Sequence, residues 1–121
     1  MSKIVIAVSN HEVAEIHRKN FFNEGLEAFI AFDRKDIMDI VNKEKIDILL
    51  VGKDLNGFEI SEEIRKNNPN IKIFIVGVGD SLILKENQKK AVESGANDFI
   101  DVVHIMPDNV YDIVMGRMKN E

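Results

Sequence analysis

Lys45-Ile46-Asp47-Ile48-Leu49-Leu50-Val51-Gly52 is the stretch on which the fold turns. Ile48 through Val51 is apolar without a break, so it cannot be a strand with one wet face. Only a strand covered on both sides tolerates such a run. Similar runs flank it: Ile4 to Val8, Ala28 to Phe32, Ile71 to Val78 and Phe99 to Val103. With Ile46 to Val51 they predict five buried strands.

Between the strands, apolar residues return at helical spacing: Val13, Ile16 and Phe21; Ile37, Ile40 and Val41; Ile60 and Ile64; Ala91 and Val92; Val110, Ile113, Val114 and Met118. Punctuation agrees with five helices. Asn10 can cap the first and Gly25 ends it, Pro69 follows the third, Gly95 ends the fourth, and Pro107-Asp108 opens the fifth. Strict alternation of strand and helix requires right-handed crossovers, hence a parallel sheet with helices on both faces. The fold predicted is α/β, flavodoxin-like and doubly wound, with strand order 2-1-3-4-5.

The chain's 121 residues suit a single domain spanning 1–121, with no internal repeat, low-complexity tract or linker. A formal charge of −5 opposes binding to nucleic acid or to an anionic membrane surface. There is no Cys, which excludes disulfides, thiolate nucleophiles and Cys-based zinc sites and fits a reducing cytoplasm. The first apolar run is too short for a signal h-region or a membrane span, so a soluble cytoplasmic protein is expected.

In an open α/β sheet the functional crevice lies beyond the carboxyl ends of the strands at the topological switch, here strands one and three. The segment Gly25 to Asp33, followed by a helix and then Lys45 to Leu50, resembles the receiver domain of bacterial two-component response regulators. Gly57-Phe58-Glu59-Ile60 running on to Ile64-Arg65 resembles that family's third helix. Gly95-Ala96-Asn97-Asp98-Phe99-Ile100 resembles its approach to strand five. The resemblance covers essentially the whole chain and implies a CheY-like phosphorelay domain. A working member joins carboxylates at the end of strand one to Mg²⁺, which demands hard oxygen ligands. It adds a nucleophilic Asp after strand three, a hydroxyl after strand four and a Lys after strand five, the last two offsetting phosphoryl charge.

Carried onto this chain, those positions fall on other chemistry. The acidic pair falls on Val8 and Ser9, or on Ser9 and Asn10 if the strand is shifted by one. The nucleophile falls on Gly52, the hydroxyl on Gly77, the Lys on Val102 and the following Pro on Val103. The expectation is a degenerate, stand-alone pseudo-receiver with no catalytic residue, cofactor or metal, which acts by binding another protein.

Two alternatives share the same residues. Four residues separate Gly52 from Gly57, a shorter loop than the family's, and Asp54 lies within it. Strand alternation would point Asp54 to the same side as Gly52, making it a phosphoacceptor by shifted register, although Asp54-Leu55-Asn56-Gly57 also reads as a turn. Alternatively, the vacated crevice lined by Ser9, Asn10, Gly52 and Gly77 admits a nucleotide or metabolite, since glycines at strand tips permit close backbone approach. A flavoprotein is disfavoured, for there is neither a Ser/Thr-rich phosphate loop nor a Trp.

Gly77-Val78-Gly79-Asp80 lacks the rest of a dinucleotide or P-loop fingerprint and reads as a turn. His11, His17 and His104 show no metal-ligand spacing and are expected to be solvated. Lys85, Lys89 and Lys90 are interleaved with Glu86 and Glu93, giving a solvated helix face rather than a basic groove. The segment between Gly77 and Gly95 is longer than the family's and carries Leu82-Ile83-Leu84. Those residues, with Tyr111 and Met115 at i, i+4 and with Phe99 at the family's switching-aromatic position, are read either as core filling or, on the resemblance, as a docking face. In resembling receivers the surface of helix four, strand five and helix five contacts partners or a second copy, so a homodimer is one expected use.

Overall fold

The computed structural model describes residues 2–78, 81–102 and 107–119. Strands β1 (Lys3–Ala7), β2 (Glu27–Ile30), β3 (Ile48–Gly52), β4 (Lys72–Gly77) and β5 (Asp98–Asp101) form one parallel sheet in the order β2-β1-β3-β4-β5. They alternate with α1 (His11–Asn23), α2 (Arg34–Lys43), α3 (Gly57–Asn67), α4 (Ser81–Glu93) and α5 (Pro107–Lys119). The expected architecture is the one found. Among the described residues no helix is long and apolar enough to cross a membrane.

The unbroken apolar runs are explained by two cores. Val5, Ala7, Leu49, Val51, Ile73 and Ile75 point to one side, where Ile37 and Val41 of α2, Ile60 and Ile64 of α3, and Ala91 of α4 meet them. Ile4, Ile6, Ile48, Leu50, Phe74 and Val76 point to the other, against Ala14 and Phe21 of α1 and Val110 and Val114 of α5. Successive strand residues serve opposite cores, so neither parity can be polar. Register places Ile6 beside Leu50, Leu50 beside Phe74 and Gly77 beside Asp101, which aligns the strand tips along one edge.

The helix faces depart from expectation in two places. The buried face of α1 is Ala14, His17 and Phe21, while Ile16 is 38% exposed. Spacing of i, i+3, i+7 keeps one stripe against the sheet, and Ile16 lies off it. On α4, Ala91 is buried but Val92 is 65% exposed, because adjacent helical residues point about 100° apart.

Arg65 ties the edge opposite the strand tips. Its Nε donates to the carbonyl of Gly95 at 2.8 Å, and its Nη1 to those of Asn68 at 3.0 Å and Ile71 at 2.7 Å. Its Nη2 reaches Asn97 Oδ1 at 3.2 Å, an oxygen that also accepts from Ile73 N–H at 2.8 Å. Gly95 has φ +91°, and a Cβ there would press on Arg65 Cγ at 3.0 Å, so glycine both turns the chain and admits the aliphatic stem of Arg65. Replacing Arg65 with Lys removes the planar fork that joins these loops. It is expected to cost about 1–3 kcal/mol in urea unfolding, with the sheet retained by far-UV circular dichroism.

Candidate functional site

The helix after β1 packs on one face of the sheet and the helix after β3 on the other. The chain therefore parts at the tips of these neighbouring strands and leaves a cleft beyond them. Its volume is roughly 680 Å³, and Val8, Ser9, Asn10, Gly52, Gly77 and Val102 all line it. The six positions singled out in the sequence are thus brought together.

Val8 is nearly buried and belongs to the core shared with α1 and α5. Asn10 is committed to the helix: its Oδ1 accepts from the backbone N–H groups of Glu12 and Val13 at 3.0 and 3.1 Å, satisfying donors that α1 itself cannot. Val102 continues the apolar wall and packs beside the same core. Gly77 leaves space that a neighbour fills, since a Cβ there would meet Phe99 Cζ at 3.0 Å and Lys53 Cβ at 3.1 Å.

Asp54 also lines the cleft, by a route different from strand alternation. β3 stops at Gly52, and Lys53–Leu55 coil into one 3₁₀ turn. Asn56, at φ 61° and ψ 43°, closes the turn and donates its N–H to the carbonyl of Lys53 at 3.1 Å. The short loop draws the start of α3 onto the strand tip, where a Cβ on Gly57 would lie 3.0 Å from the carbonyl oxygen of Gly52. The turn folds the Asp54 carboxylate back over Gly52, and a Cβ built on Gly52 would collide with Asp54 Oδ1. Ser9 Oγ donates to Asp54 Oδ2 across the cleft. Asp54 is therefore both the turn residue and a cleft residue, with its carboxylate where a side chain at position 52 would project.

Further lining comes from Val13, Val76, Val78 and Val110, together with Lys53 and His17, none of them singled out in the sequence as site residues. His17 corrects an expectation. It is 3% exposed, not solvated, because it occupies the sheet-facing stripe of α1. Outside the lining residues, His11 and Phe32 meet edge to face at 4.6 Å, and Phe32 is exposed. No pattern in the sequence pairs them, since the contact joins the start of α1 to the segment that follows β2.

The described residues of the expected docking face divide between the two cores and the surface. Phe99 is 1% exposed and stacks on Phe58 with centroids 6.4 Å apart, so it belongs to the core. Leu84 packs against that same core, from the side of α2, α3 and α4. Tyr111 and Met115 pack on the opposite side of the sheet. Tyr111 meets Phe21 of α1 at 5.2 Å, and burial, followed by the charges of Glu24 and Asp112, raises its phenol pKa above the ordinary value. Ile83 is the exposed member. The Leu82 side chain lies outside the described residues, as do Gly79, Asp80, Val103 and His104.

The Mg²⁺ that the resemblance implies needs several hard oxygen donors at close range. Asp54 is the one carboxylate among the described lining residues, and it is already bonded to Ser9. Among the described residues no group of three His, Cys, Asp or Glu side chains could hold a metal ion. The donor set does not fit the ion.

No family model matches the chain. Solved structures do. A CheY-like response regulator receiver domain protein from Methanospirillum hungatei aligns with TM-score 0.82 at 20% identity, over 99% of this chain and 95% of that one. The chemotaxis response regulator CheY4 of Vibrio cholerae aligns with TM-score 0.85 at 15% identity, over 97% and 98%. NtrX from Brucella abortus, solved in complex with ADP, aligns with TM-score 0.83 at 19% identity over 99% of this chain, which spans only 27% of that protein's chain. What is shared is the fold: this chain has the flavodoxin-like architecture of CheY-like response regulator receiver domains.

If Asp54 fills the space above Gly52, then Gly52→Ala should destabilise by about 1–3 kcal/mol through overpacking. In the background of Asp54→Ala the same change should cost markedly less. A double-mutant cycle by chemical denaturation measures the coupling, and additive effects would place the carboxylate elsewhere.

Proposed function

We propose that this chain is a pseudo-receiver: a non-enzymatic signalling domain that accepts no phosphoryl group and acts through noncovalent contact with another protein. One observation carries this reading. At the strand tips, where the fold's phosphotransfer chemistry would sit, the described side chains offer mainly valines and glycines, one lysine, and a single carboxylate already bonded to Ser9. Phosphoryl transfer to an aspartate depends on positioned cations that neutralise the charge developing on the phosphoryl oxygens. Without oxygen donors for Mg²⁺, and with Val102 at the Lys position, the charge on a phosphoryl group is left to Lys53, whose flexible stem does not position it. The absence of Cys supports a reducing, cytoplasmic setting. Exposed Ile83 makes its face of α4 the candidate contact surface for a signalling protein or for a second copy.

A second reading has a specific observation in its favour. The Asp54 carboxylate lies over Gly52, so a displaced phosphoacceptor is geometrically available. Incubation with Mg²⁺ and acetyl phosphate decides between the two. The intact mass is expected to stay unchanged, whereas a stable adduct of one phosphoryl group mapped to Asp54 would establish the second reading and overturn the first. For the contact surface, Ile83→Asp should abolish specific capture of partners from the native cell while leaving the fold intact. Unchanged capture would move the surface off α4.

A further inference from the structure

The cleft at the strand tips combines an aliphatic wall with one fixed negative group. Val8, Val13, Val76, Val78, Val102 and Val110 supply the wall, and a volume of roughly 680 Å³ is in the range of small-molecule sites. Such a wall favours a hydrocarbon body, because water against it makes no hydrogen bond there. The polar end is Asp54. Its Oδ2 accepts from Ser9, and its Oδ1 lies over Gly52, within the cleft. A carboxylate only accepts hydrogen bonds, so its complement must donate.

Charge then selects among ligands. A phosphate or carboxylate entering here would lose hydration against the valines and meet a negative charge of its own sign. An ammonium would lose hydration too, but it gains a charge-assisted hydrogen bond to a carboxylate already oriented by Ser9 and by the 3₁₀ turn. Lys53 also lines the cleft, but its charge rides on a flexible four-carbon stem, whereas Asp54 is held in place. The emptied cleft is the same one on which the pseudo-receiver reading rests. We infer that it binds small aliphatic amines, with the hydrocarbon body on the valine wall and the ammonium on Asp54 Oδ1.

Three probes of matched shape test this: cyclohexylmethylamine, cyclohexylmethanol and cyclohexanecarboxylate, each titrated into the ¹⁵N-labelled protein and followed by amide shifts. The amine is expected to move Ser9, Gly52, Gly77 and Val102 saturably with a Kd of about 1 mM or tighter, a reasonable strength for so small a ligand. The carboxylate should bind at least about tenfold more weakly. Asp54→Asn should weaken the amine by about tenfold while leaving the alcohol unchanged, and Val102→Phe should exclude all three by filling the wall. If Asp54→Asn fails to fold, the amine-to-carboxylate ratio in the natural protein and the Val102→Phe variant carry the decision. Equal binding of amine and carboxylate, shifts mapping away from the strand tips, or no saturation by the amine at about 10 mM would overturn the proposal. Phosphoryl inertness is measured on a separate sample, so a cleft that ignores amines leaves the pseudo-receiver reading standing.

Discussion

Burial of β1, β3 and β4 on both faces is the constraint from which the rest of the molecule follows. Ile4 and Ile6 serve one core while Val5 and Ala7 serve the other, and the same division runs through Ile48 to Val51 and Ile73 to Val76. A strand with no wet face needs helices on each side, and parallel neighbours can be joined only by crossovers long enough to contain them. Once the helix after β1 goes to one side and the helix after β3 to the other, a cleft at their tips is unavoidable. The opening is a consequence of topology; what fills it is a matter of side chains.

Here the filling is unusual for its place. Gly52 and Gly77 contribute no side chain, and the volume they release is taken by Asp54 and Phe99. The loop after β3 has been cut so short that α3 begins against the tip of its own preceding strand, at Gly57. The resulting 3₁₀ turn carries a carboxylate back over the position it follows and offers it to Ser9. Negative charge thus remains in the cleft, but as one anchored group beside valines instead of a cluster able to bind a divalent cation.

The same packing accounts for the fate of the expected docking residues. An aromatic at position 99 that is stacked on Phe58 and pressed against Gly77 has no room to reach the surface. Tyr111 is drawn the opposite way, onto Phe21, because α5 shares its core with α1 and not with α4. Apolar residues close together on a helix or in a loop look like a patch only until the sheet divides them.

Residue periodicity by itself determined the strand and helix order and the parallel double-wound sheet, while the resemblance to receiver domains pointed to the positions that meet at the strand tips, from Val8 to Val102. Element order and sheet follow from local rules: which runs are apolar on both parities, where glycine and proline interrupt, and how crossovers must wind. Tertiary structure alone decided which way Asp54 turns, that His17 faces the cleft, that His11 touches Phe32, and that Phe99 and Tyr111 lie on opposite sides of the sheet. Each of those depends on atoms from segments distant in sequence competing for one volume, such as Asp54 above Gly52 or Phe99 beside Gly77. Periodicity says which face a residue occupies along its own element, but only packing fixes what stands opposite.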